Sequence, residues 1–256
     1  MEPSQPSEIE RSRSVAQIIG EALDIYQRFP LLFLTLALGV IAPYELVVLA
    51  ATGEGPLASS AHQSLGVTYL LALLDLALVG PLISALHMHA VVLVSERSVP
   101  RLGEVALRGL RVLPVVAAAA IIAALGIGVG FLALIVPGVL LLLRWAVVAQ
   151  VAAVENEGWQ AALARSSELT RGHYRHILGL VVITVLLVAG IEAGARSLPV
   201  GAASGAASVA LGIASRTVTS SFSALTLALL YFDLRARAGS PRAEAPREQP
   251  PGGVPD

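Results

Sequence analysis

Five ionisable residues interrupt otherwise apolar runs, where a charge needs a partner: Glu45, Asp75, Arg144, Glu192 and Arg216. Charges inside a bilayer are costly, turn toward the protein interior, and either pair with one another or line a polar path. At the rise of an α-helix, Glu45, Arg144 and Glu192 fall within roughly 5–9 Å of one membrane interface, and Asp75 and Arg216 near roughly 15 Å. Matching depth and opposite sign predict an Asp75–Arg216 pair and a pairing of Arg144 with Glu45 or Glu192. Such a cluster either holds helices together or forms a hydrated ligand site.

Other residue patterns point away from chemistry. The chain has no cysteine, so thiol catalysis, disulfides and thiolate metal sites are excluded. His87 and His89 stand two apart, and on a helix they diverge by about 200°, too far to share one ion. His173 and His176 share a helix face but have no evident third ligand. No metal and no cofactor is expected. The serines sit in nothing like a nucleophile elbow, and no Ser–His pair stands out at a common depth, so the expectation is a protein that is not an enzyme. Gly126-Ile127-Gly128-Val129-Gly130 is no nucleotide loop, because it lies mid-span with no strand before it. Close helix contact is the better reading there. The same holds for the small and hydroxylated residues Gly201, Gly205, Ser208, Gly212, Ser215, Thr217, Thr219, Ser220 and Ser221. A hydroxyl-lined cavity is the alternative.

The elements that carry these residues follow from hydropathy. Apolar residues make up 55% of the chain and charged ones 14%, against about a quarter charged in soluble domains. Leu31 to Ala50 alone runs 20 residues with one charge, the length a bilayer core demands. Six such runs, 31–50, 65–94, 113–136, 139–154, 177–195 and 206–232, predict an all-α integral membrane bundle of six transmembrane helices. Gly80-Pro81 predicts a kink in the second, and Pro137-Gly138 a tight turn between the third and the short fourth. The expected organisation is a polar N-terminal tail over 1–13, a membrane domain over 14–238, and a disordered Pro-rich tail over 239–256.

Arginine placement sets direction. All 17 cations are Arg, and 14 of them flank the spans on one side, which puts both termini in the cytoplasm. The lysine-free composition suggests a bacterial chain in the cell membrane. An amphipathic segment precedes each outward span: Ser14–Phe29 with Gln17, Glu21, Asp24 and Arg28 in one stripe, Pro100–Leu113 with Arg101, Glu104, Arg108 and Arg111, and Gly158–Gly172 with Arg165 and Glu168. The chain thus reads as three units, each an interfacial helix followed by a hairpin. Arg101, Arg108 and Arg111 are expected to meet anionic lipid headgroups. Membrane proteins are the macromolecular partners expected, and nucleic acid is not.

Residues Ile135 to Leu178 carry a family resemblance. Pro137-Gly138, Arg144-Trp145, Glu155, Ala162-Leu163, Arg165-Ser166, Leu169, Gly172 and Arg175 form the central motif, with Glu21-Ala22 to Tyr26 near the start and Leu230–Arg235 near the end. This pattern resembles the membrane domain named after glycerophosphoryl diester phosphodiesterase. The Gln150–Val154 run departs from it, standing where a proline often precedes the acidic residue. The resemblance implies a fold and a location. Its name comes from members that join this region to a separate catalytic barrel, which the short loops and tail here cannot supply. The expected function is a non-enzymatic membrane scaffold or accessory module. The alternative is a small-molecule or lipid transporter, or a lipid-handling protein, with a polar site between helices.

Overall fold

Ser14 starts the first helix by a reciprocal cap: its hydroxyl accepts from the Gln17 N–H at 3.3 Å, and its own N–H donates to the Gln17 side chain at 2.8 Å. Helix α1 (Val15–Arg28) buries Ile18 and Ala22. Phe29 leaves the helical region because Pro30 follows, and Pro30 opens α2 (Pro30–Thr52) at a position where its missing N–H costs nothing. The computed structural model describes residues 12–57, 64–95, 102–199 and 205–239. The expected tails, apart from residues 12, 13 and 239, lie outside these, as do Arg101 and Gly201.

The remaining elements are α3 (Leu65–Leu74), a π-helical turn (Asp75–Val79), α4 (Gly80–Ser95), α5 (Leu102–Ala133), α6 (Ile135–Arg144), α7 (Val148–Glu155), α8 (Trp159–Thr170), α9 (Tyr174–Ser197) and α10 (Ala206–Gly239). No strand occurs among the described residues. Six helical stretches are long and apolar enough to cross a membrane, Pro30–Thr52, Gly66–Ser95, Leu102–Ala133, Ile135–Glu155, Tyr174–Ser197 and Ala206–Gly239. The fold is an all-α membrane bundle.

Local sequence explains its irregularities. In the second span the distortion falls just before Gly80-Pro81. Pro81 cannot donate to the turn before it, and the helix widens so that the Gly80 N–H reaches the Asp75 carbonyl. The turn after α5 lies at Leu134, which is extended, and not at Pro137-Gly138 as the sequence suggests. Pro137 instead occupies the first turn of α6, where backbone N–H groups have no helical partner anyway. Gly138 is pressed against Gly130 and Phe131. A Cβ on Gly138 would overlap the Phe131 ring, and one on Gly126 would stand 2.5 Å from Trp145. Gly128 meets nothing within 4 Å, so Gly126 and Gly130, four apart, form the close-contact face.

One of the three amphipathic segments differs from the expected separate helices. The second is not separate, because it continues into span three as the single 32-residue helix α5. Its buried positions Val105, Gly109, Val112, Val116, Ala119 and Ala123 keep one phase through Pro114, so nothing favours a break. The third, α8, packs against α5, α6, α7 and α10, and buries Ser166, Ser167, Leu169 and Thr170. Helix α1 likewise packs against α2, α9 and α10, so α1 and α8 are both separate helices laid against the bundle.

Helix α10 is the centre of the bundle. It touches α1, α2, α4, α7, α8 and α9, and 72% of its most apolar stretch is buried in protein, against 17% for α9. It is also the span richest in Ser and Thr. Lipid-facing spans must be apolar, whereas a helix covered by protein can carry hydroxyls. These bond their own helix: Thr217 to the Ile213 carbonyl at 2.7 Å, Thr219 to Ser215 at 3.0 Å, and Thr226 to Phe222 at 2.9 Å. Packing therefore accounts for that stripe. The tightly filled core, including Phe33, Met88, Ile177, Leu225, Leu229 and Tyr231, lies toward the end that carries both described termini. There the Arg237 side chain donates to the Arg13 carbonyl at 2.6 Å.

Candidate functional site

At the end opposite the termini, four elements bring charges together. Arg216, on α10, is 29% exposed, and its two terminal nitrogens donate to different carboxylates, one to Glu45 of α2 and one to Asp75. Glu45 is 97% buried, since it keeps 3% of its surface, whereas Asp75 keeps 41%. Asp75 opens the π-helical turn, so the Pro81 distortion sets where its side chain emerges. The guanidinium also stands 5.1 Å from the centre of the Tyr44 ring, within cation–π range. Tyr44 is fixed in turn by its hydroxyl, which donates to the Leu71 carbonyl at 3.0 Å.

The loop after α2 closes over this cluster. Gly53 leaves the helix with φ of +72°, a conformation that favours glycine, and the chain turns back so that Pro56 covers Gly212. A Cβ on Gly212 would stand 2.8 Å from Pro56. Glu192 and Arg196 of α9, 3.2 Å apart, form the far wall. Together these groups line an open cavity of about 390 Å³, walled by Tyr44, Glu45, Ser215, Arg216, Glu192 and Arg196 among others. That lies within the range of small-molecule sites, about 300–1,000 Å³.

The five candidates thus divide. Asp75 and Arg216 meet as their depths predict, and Glu45 joins them. Arg144 pairs with neither Glu45 nor Glu192. Because the turn lies at Leu134, Arg144 ends the ten-residue helix α6, about 15 Å along it, beyond the depth expected for it. Its Nε donates to Ser167 Oγ at 2.8 Å. The chain breaks after it, and the Val148 N–H bonds the Trp145 carbonyl, leaving the Arg144 carbonyl without a helical donor. Ser166 and Thr170 of α8 supply the missing donors, each at 3.1 Å. That is why α8 is drawn into the bundle. Glu192 takes Arg196 of its own helix and lines the cavity without touching the triad.

Sequence reasoning missed two arrangements. His87 and Ser221, both fully buried, form a Ser–His pair: Ser221 Oγ donates to His87 Nε2 at 2.8 Å, while His87 Nδ1 bonds the Ile83 carbonyl at 2.9 Å. Neither has accessible surface, and the Phe33 ring lies 5.5 Å from the imidazole, so a substrate has no approach. The pair satisfies two buried polar groups. Neither position has a sequence periodicity that singles out the other.

The second is Asp233, fully buried near the end of α10. Its carboxylate accepts from the Arg13 N–H at 2.5 Å and Arg237 Nε at 2.8 Å, and lies 3.1 Å from His176 Nε2. The Arg13 side chain pairs with Glu21. Nearby, the Tyr231 hydroxyl donates to Glu155 at 3.0 Å, and Glu155 lies 3.5 Å from Arg165. An acidic residue closing an apolar run, with Arg four positions on, was the available signal. His173 Nδ1 lies 3.1 Å from the Arg171 carbonyl, so the two histidines of α9's start serve different partners.

Comparison with family models, curated proteins and solved structures finds no match in any of the three.

Proposed function

We propose that this chain is a non-enzymatic multi-pass protein of the cell membrane that holds a small polar or amphiphilic molecule between α2, α9 and α10. The carrying observation is the cavity of about 390 Å³ walled by charges from different helices. Pure scaffolding has no use for such a space, since ion pairs hold helices best when packed around. The reading favours the transport or lipid-handling alternative over the scaffold. The arginine bias supports cytoplasmic termini and the lysine-free composition a bacterial chain, and the Arg13–Arg237 contact, with both described termini at one end, fits an even number of spans. Arg108 and Arg111 would then meet anionic headgroups, Arg108 while also paired with Glu104 at 2.7 Å. The resemblance to the phosphodiesterase-associated membrane domain agrees with this location.

The test is native mass spectrometry of the protein taken from membranes. Wild type should retain a small molecule, and Val48→Trp, which fills the cavity, should lose it while remaining as stable as ligand-free wild type. A wild-type protein that carries nothing, with no stability gain from any membrane extract, overturns the reading.

The scaffold reading retains one favourable observation, the apolar face of α9, where Val182 and Leu186 are 45% and 66% exposed. Its occupant is lipid or a protein, and crosslinking from Leu186 in membranes separates the two.

A further inference from the structure

The polar cavity has an apolar neighbour. A second space of about 400 Å³ lies between α9 and α10, walled by Leu180, Val185, Val188 and Leu227, and it ends at Glu192. Glu192 therefore lines both spaces. From Leu180 to Glu192 the slot runs about 18 Å along α9. One wall of charges joined to one long apolar slot is the shape of an amphiphile.

Charge decides which kind. Arg216 has both terminal nitrogens committed to Glu45 and Asp75, so that triad is net negative. Glu192 and Arg196 cancel. Three carboxylates thus stand against two guanidinium groups, Glu45 and Glu192 in the lining with Arg216 and Arg196, and Asp75 behind them on Arg216. An excess negative charge between apolar walls calls for a cation. An anion would meet Glu45 and Glu192, and would have to displace Glu45 or Asp75 to reach a terminal nitrogen of Arg216.

We propose that the ligand is an amphiphilic cation, an ammonium group carrying a single alkyl chain, with its head beside Glu192 and its tail in the slot between α9 and α10. This rests on the ligand-binding reading given above. Glu192 exchanges part of its contact with Arg196 for the ammonium, and that intrahelical pair is 36% exposed on the acidic side, weak enough to yield.

The experiment uses the full chain in a nonionic detergent, with equilibrium dialysis of four probes: dodecyltrimethylammonium, tetramethylammonium, dodecanoate and dodecanol. Dodecyltrimethylammonium should bind best, with the short ammonium and the dodecanoate each about tenfold or more weaker, as expected for loss of the apolar contact or of a charge-assisted one. Glu192→Gln should lower affinity for the long ammonium by about tenfold. The paired variant Glu192→Gln with Arg196→Gln should lower it equally, which separates lost binding from an unpaired Arg196. Leu227→Trp, which fills the slot, should weaken the long probe and spare the short one. Preference for dodecanoate, or long-ammonium binding that none of the variants changes, overturns the cation proposal. If no probe binds while the native protein still carries a molecule that Val48→Trp expels, the cation is wrong and the cavity reading survives. If both fail, both fall.

Discussion

Asp75 and Arg216, separated by 141 positions, meet side chain to side chain at the end of the bundle opposite the termini. Glu45 completes the contact from the other side of the guanidinium. The order of losses follows from burial. Arg216→Ala leaves two carboxylates facing each other, one of them almost without solvent, and should cost about 3–5 kcal/mol, the scale for breaking a buried pair. Asp75→Ala should cost less, about 1 kcal/mol, because Asp75 is 41% exposed. Thermal unfolding of single and double variants should give a coupling of about 0.5–3 kcal/mol. Simple additivity would show that the two residues act independently.

The Arg144 carbonyl should be the weak point of span four once α8 lets go. Thr170→Val removes one donor and Ser166→Ala the other. Each should lower stability by about 1 kcal/mol, and the pair by more than the sum, since the second loss leaves a part-buried acceptor with no protein donor. The observable is the amide exchange rate around Trp145–Val147, which should rise sharply only in the double variant. Equal exchange in all variants would mean that water or lipid takes over the carbonyl.

Asp233 should tie the N-terminal segment to the bundle. Asp233→Asn keeps the shape and removes the charge that collects Arg13, Arg237 and His176, at about 1.5–3 kcal/mol for the bonds to charged groups. Limited proteolysis should then cut near Arg13 faster than in wild type, while cleavage in the Gly53–Leu57 loop stays unchanged. A general rise at both places would signal global unfolding and not a lost tether.

Topology is open to direct measurement. Reporter fusions after Arg13 and after Arg237 should signal cytoplasm, and one after Glu54 the exterior. An exterior signal at one terminus overturns the count of six spans, and one at both reverses the orientation drawn from the arginines and with it the side from which the cavity opens.

The number of spans, the arginine asymmetry and the meeting of Asp75 with Arg216 were readable from sequence. Each depends on a quantity local to one helix: its apolar length, its flanking charge, or the depth of a residue at a fixed rise. Tertiary structure decided what depth leaves open. Glu45 joins Arg216 and not Arg144, α8 packs on the bundle, α10 is central, and His87 finds Ser221. Depth is one coordinate, and a contact needs the azimuth and the neighbour order as well. In a soluble protein the apolar stripe supplies the azimuth. Here lipid and protein interior are both apolar, so a stripe of Leu and Val on α9 or α5 does not say which face is covered. The break after Arg144 compounds this, since a chain that turns at Leu134 instead of Pro137 shifts a charge by three residues and exposes a carbonyl that only another helix can satisfy.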